Sequence, residues 1–212
     1  MSEIRNPKLK VFYTPKQVNT NPNIIDGCSR SPLKPMLLVK ALEGLGLNKY
    51  IETEPNFSPF ENEDFKIAHT EHYVESFFKG IEPLCSTNML PWSKELAESV
   101  RYTNASLYNA MRYSILNPQQ VCHSFSAGFH HSRPKGGSGF CTFSGQVIAA
   151  IKLYREFGAV GAVLDLDGHY GNSITDTRGF APEINMAIPR AKQDVGRMDR
   201  RSAGFSFKNA FC

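Results

Sequence analysis

The alternation of apolar and polar positions changes period several times along the chain, and each change marks a predicted element. LKVFYT (Leu9 to Thr14) is rich in aromatic and β-branched residues and reads as a short buried strand. An Asn- and Pro-rich loop follows to about Ser31. PLKPMLLVKALEGLGL then sets Leu38, Leu42 and Leu45 at helical spacing and closes at Gly44 and Gly46. In HTEHYVESFFKG, Thr70 is placed to cap a helix that carries Glu71 in its first turn and stops at Gly80. A longer helix is predicted from Ser93 to Ile115, before Asn117-Pro118. VCHSFS (Val121 to Ser126) reads as a strand, SRPKGGSGF as a loop, and Gly145 to Phe157 as an apolar helix. From Val160, VGAVLDLD is a nearly unbroken apolar run that ends in two aspartates and reads as a buried strand.

Strand, loop, helix and apolar strand in that order is the βαβ pattern, which predicts an α/β fold with a mainly parallel sheet covered on both faces. No internal repeat interrupts it. From Arg190 the chain turns basic and loses its periodicity, so residues 1–189 are expected to form a domain and 190–212 a poorly ordered tail.

Composition narrows the classes. At 212 residues, 41% hydrophobic and 21% charged, the chain suits one ordinary globular domain. A net charge of +4 without a basic, aromatic-interleaved block argues against nucleic-acid binding. No apolar run of about 18 residues and no signal-peptide core occur, which predicts no membrane span and a cytoplasmic protein. The five cysteines are widely spaced with no CxxC, so neither a disulfide scaffold nor a zinc knuckle is expected.

The candidate chemistry lies in three segments. In an extended Asp165-Leu166-Asp167-Gly168-His169, alternate residues face one side, which would bring two carboxylates and an imidazole together at a strand end. That donor set suits a divalent ion such as zinc. The competing reading has Asp165 capping a turn, Asp167 solvated and His169 incidental. Gly128-Phe129-His130-His131 offers metal ligands, an acid–base pair or mere surface residues. The cluster Gly136-Gly137-Ser138-Gly139-Phe140-Cys141 lacks a GK[ST] ending and does not match GxGxxG, so a nucleotide site is not expected.

Taken together, HHSRPKGGSGFCTFSG and VLDLDGHYGN, in this order and at this separation, resemble the histone deacetylase superfamily, which includes acetylpolyamine amidohydrolases and acetoin-utilisation proteins. Weaker similarity covers SPLKPMLLVKALEGLGL and AHTEHYVESF. The resemblance implies a three-layer arginase/deacetylase-like fold, of which the C-terminal strands are missing. It implies that Asp167 and His169 are two of three protein ligands of a zinc or other divalent ion. Asp165 would orient His130 and touch a structural potassium ion, and Asn172 would contact His131. His130 and His131 would activate a metal-bound water and protonate the leaving amine. Gly139 and Phe140 would line a tunnel for an acyl-lysine or acyl-polyamine chain. The implied partners are an acyl-amide substrate and, for an oligomer, a second copy of the chain. The family's third ligand and its oxyanion-stabilising tyrosine lie beyond the stretch that resembles it. A catalytically silent relative, serving as a metal-binding or interaction module, is the alternative; an arginase-like hydrolysis of a guanidino group fits the His-His pair less well.

Other residues have ordinary expectations. His69 and His72 are read as capping or surface residues, His123 as structural beside the core, Cys141 as a buried small hydrophobe and Trp92 as packing.

Overall fold

The structure is a computed structural model and describes residues 8–189 and 210–211. Three strands, β1 (Leu9–Phe12), β2 (Ile51–Glu54) and β3 (Cys122–Ser124), form a parallel sheet in the order β2-β1-β3. Lys10 stands opposite both Glu52 and Cys122. The helices are α1 (Pro22–Ile25), α2 (Lys34–Gly44), α3 (Asn62–Lys66), α4 (Glu71–Lys79), α5 (Lys94–Leu116), α6 (Gly145–Phe157), α7 (Ser173–Thr177) and α8 (Ile184–Ala187). A second pair, β4 (Ala162–Val163) with β5 (Ala210–Phe211), is also parallel. No described helix is long and apolar enough to cross a membrane.

Strand alternation explains the layers. Val11 and Tyr13 leave one face of β1 and pack with Phe125 against Val39 and Leu42 of α2. Phe12 leaves the other face and packs against Ala110 and Tyr113 of α5. Helices therefore cover both faces of a parallel sheet, as the α/β reading requires. Behind α5 lies the main core, centred on Phe143, just before α6. Its ring meets Phe65 at 4.3 Å, Tyr73 and Phe77 at 5.2 Å, and stacks on Phe78 at 5.6 Å. Such aromatic contacts add to plain area burial.

The cap residues act as the pattern predicts. Thr70 Oγ1 accepts from the Tyr73 amide, and α4 stops at Gly80, whose φ of +70° is the left-handed C-terminal cap. Ser93 caps α5 in the same way through the Leu96 amide. Trp92 packs its ring over Gly80, a packing role as expected.

Elsewhere the structure corrects the pattern. α2 forms, but Leu38 and Leu45 are exposed, and its sheet-facing side is Val39 and Leu42. Strands β1 and β3 are shorter than LKVFYT and VCHSFS. Strand β2 (IETE) and α3 carry too few apolar residues to have been predicted. The largest correction concerns Val160 to Asp167. Only Ala162 and Val163 are strand, and Leu164 and Leu166 are exposed, so this is no buried central strand. Aspartate side chains divert the backbone: Asp165 Oδ1 accepts from the Asp167 amide and Asp167 Oδ1 from the His169 amide. These local turns compete with a ladder and win. Of the basic tail, Ala210–Phe211 pair with β4, and the rest of the tail lies outside the described residues.

Candidate active site

Three loops converge beside the start of α6. The loop after β3 carries His130 and His131, the loop after β4 carries Asp165 to Asn172, and the turn at Gly139 leans on the first. The two imidazoles lie 4.0 Å apart between ring centroids. His130 Nδ1 is 2.8 Å from Asp165 Oδ2, and His131 Nδ1 is 3.3 Å from Asn172 Oδ1.

The hydrogen-bond inventory fixes the tautomers. A carboxylate only accepts, so His130 donates from Nδ1 to Asp165. Asn172 Nδ2 donates to Asp176 Oδ2 at 2.6 Å, which turns its carbonyl oxygen toward His131, so His131 also donates from Nδ1. Both rings therefore keep their protons on Nδ1, the arrangement that leaves Nε2 for chemistry.

Two glycines make the assembly possible. At Gly171 a Cβ would fall 2.2 Å from Asp165 Oδ2 and 3.1 Å from His130 Nδ1, so only glycine allows the backbone over this pair. At Gly139, φ is +51° and a Cβ would fall 2.7 Å from His131 Cδ2. Phe140 follows with φ of +64°, a left-handed conformation rare for an aromatic residue. Hydrogen bonds hold the turn there: Ser138 and Cys141 exchange backbone bonds, and the Phe140 amide donates to Asn88 O at 3.0 Å.

The segment that carries Asp167 and His169 is less ordered by its surroundings. His169 Nδ1 lies 2.8 Å from Asp167 Oδ1, and the His169 ring stands 6.0 Å from His131. The two predicted ligands thus face one another beside the twin histidines, although bends, not an extended alternation, bring them there. The His169 amide and ring hold the Asp167 carboxyl below its usual range. Their donor atoms suit a divalent ion in kind. They fall short in number, because catalytic zinc sites use three protein ligands and no cluster of three such donors occurs among the described residues.

A cavity of about 310 Å³ opens below His130, lined by Met111, Ser124, Phe129, Val163 and Asp165. Phe140 lines a different and far smaller space of about 30 Å³, with Phe129, Phe143 and Asn104. Cys141 is buried as expected, with its Sγ against Gly128, and burial pushes its thiol pKa up, which disfavours a thiolate. His123 lies on β3, solvent-exposed, with its ring edge-on to the buried Phe125 of the core, as expected.

His130 stands against Asp165 and His131 against Asn172, with Asp167 and His169 beside them, and comparison decides the family. The histone deacetylase domain family matches residues 30–185, which contain every one of these positions. The chain belongs to the histone deacetylase family. It is 22% identical over 191 residues to histone deacetylase 8 of Danio rerio, covering 85% of this chain and 49% of that protein. Histone deacetylase 8 of Xenopus tropicalis is also 22% identical, over 167 residues, covering 74% of this chain and 44% of that one. The crystal structure of the HDA15 HD domain superposes with a TM-score of 0.63 at 14% identity, covering 81% of this chain and 50% of that domain, and so shares the fold. The chain spans about half the length of the curated relatives it matches.

Sequence reasoning missed one histidine. His69, read as a cap or surface residue, is 1% exposed. Its Nδ1 lies 2.8 Å from Arg133 O and its Nε2 accepts from the Ser144 amide at 2.8 Å. Both partners lie more than sixty residues away in sequence, which is why no local pattern announces it. Burial lowers its pKa to about 3, so it stays neutral, with its proton on Nδ1.

Proposed function

We propose that this chain carries the proton-handling part of a deacetylase-type site that hydrolyses N-acyl amides, with acetyl-lysine or an acetylated polyamine as the substrate class. One observation carries the reading: both imidazoles are anchored through Nδ1, to Asp165 and Asn172, and both keep Nε2 for a substrate or water. A ring held this way takes a proton at Nε2 from an attacking water, or returns one to a departing amine. Adjacent rings 4.0 Å apart can divide those two tasks. Asp165 carries a full negative charge against its ring, whereas Asn172 contributes an amide dipole only, and this makes the two histidines chemically unequal. Asp167 and His169 would hold a zinc or other divalent ion, which would acidify water and polarise the amide carbonyl. Gly139 and Phe140 would guide the acyl chain past His131.

The test is turnover of a fluorogenic acetyl-lysine substrate by the full chain, with added zinc and with chelator. Zinc-dependent turnover that falls by at least about a hundredfold in His131→Ala is expected. Turnover unaffected by that substitution would remove the reading.

A second reading has its own support. With two such donors together among the described residues, where three are usual, a catalytically silent relative that binds metal weakly is the alternative. Zinc binding by calorimetry without any turnover would favour it.

A further inference from the structure

The backbone that bears the twin histidines is held by its carbonyls, one after another. His130 O accepts from the Ser173 amide at 2.9 Å, and Ser132 O from Ser144 Oγ at 3.2 Å. Arg133 O accepts from His69 Nδ1, and Pro134 O from the Thr70 amide, each at 2.8 Å. Four carbonyls within five residues are thus fixed from three other parts of the chain. Ser144 is the hub. Its hydroxyl donates to Ser132 O and accepts from the hydroxyls of Ser132 at 2.9 Å and Ser173 at 2.6 Å, while its amide donates to His69 Nε2. Every hydrogen-bonding capacity of that hydroxyl is used. His69 and the three serines are all 1% exposed or less. A buried polar network this complete is worth more to specificity of conformation than to net stability, since an apolar core would fill the same space at less desolvation cost.

We propose that His69 is a positioning residue which, through Ser144 and the serines bonded to it, sets the orientation of His130 and His131 relative to Asp165 and Asn172. Resting on the function proposed above, it adds a residue that touches no substrate. The link is direct in structure: Ser173 follows Asn172, the partner of His131, and its amide holds His130. A brace through Ser144 therefore fixes both histidines and the loop that orients one of them in a single register. Loss of the brace leaves the rings attached to a loop that can shift, and a shift of an ångström at such a site costs on the order of a hundredfold in rate.

The experiment compares His69→Phe, Ser144→Ala and Leu153→Ala in the full chain. Phe keeps the ring contacts with Phe143 and Tyr73 but neither hydrogen bond. Leu153→Ala hollows the core between α5 and α6, away from the brace. Thermal melting scales the destabilisation, and imidazole ¹H–¹³C spectra report the two histidines without requiring turnover. The expected result is that His69→Phe and Ser144→Ala shift or split the His130 and His131 signals, whereas Leu153→Ala, at an equal or larger loss of melting temperature, leaves them in place. Unchanged signals in the two brace variants would reduce His69 to a packing residue and overturn the proposal. Should the parent chain show no turnover, the function proposed above fails while this spectroscopic result still decides the role of His69. Should it turn over, His69→Phe is expected to lower kcat with little change in KM.

Discussion

The two halves of the site are built on opposite principles. Beneath His130 and His131 lies a polar network in which the supporting side chains are buried and four of the five carbonyls from His130 to Pro134 accept a hydrogen bond. Across from them, Asp167 and His169 sit on an exposed turn held mainly by bonds within the turn and by Asp165, with the His169 side chain 81% exposed. The half that carries His130 and His131 is thus held by residues distant in sequence, and the half that carries Asp167 and His169 mainly by bonds within its own turn. On the function proposed above, geometry needed before substrate arrives would rest on distant residues, and geometry that an ion could impose would be left local.

The contrast is broken most severely from the core side. Phe143→Ala removes the ring on which Phe65, Tyr73, Phe77 and Phe78 converge, and is expected to cost about 3–5 kcal/mol in a denaturant titration. Next in size is a pH effect that belongs to the buried half alone. The folded chain keeps His69 neutral down to about pH 3, whereas the unfolded chain protonates it near 6.5. Stability is therefore constant above that value and falls as pH drops from 6.5 toward 3, by about 2–3 kcal/mol over the first two units. His69→Phe should flatten this slope in melts taken from pH 7 to 4.5, read as the difference from the parent chain so that the carboxylates common to both cancel.

A smaller effect is expected where the halves meet. Gly171→Ala places a methyl on the Asp165–His130 pair. It is expected to lower turnover about tenfold, equivalent to about 1.4 kcal/mol, with stability little changed. The smallest belongs to the exposed turn: Leu166→Ala, at a position 84% exposed, should change stability by no more than about 0.5 kcal/mol. A large loss there would mean that this segment is packed after all, and the contrast would collapse.

How much of this was legible in the sequence follows the same division. Helices α4 and α5 could be read because Thr70, Gly80 and Ser93 are local signals that act locally, and α6 because Gly145 to Phe157 is a continuous apolar-periodic run. His130, Asp165, Asp167 and His169 could be read because their chemistry is concentrated in short segments. Strand β2 could not, since IETE has little apolar content and gains its place from pairing with β1 forty residues away. His69, Ser132, Ser144 and Ser173 could not, because a serine or histidine shows its burial only through partners remote in sequence. The strand read from Val160 was overcalled for the converse reason. Its apolar run satisfied the pattern, but the aspartates that follow turn the backbone aside, and its neighbour β5 pairs with two residues.

The register of β1 carries a consequence for how the molecule is made. Lys10 waits for Cys122, 112 positions later, before its strand has neighbours on both sides. A nascent chain leaving the ribosome must therefore carry its first strand half-paired while the residues between Glu54 and Cys122 are made. Long loop closures of this kind slow folding, so the helices gather before the sheet does. Amide protection at Val11 in pulse-labelled hydrogen exchange should accordingly arrive after protection within α5.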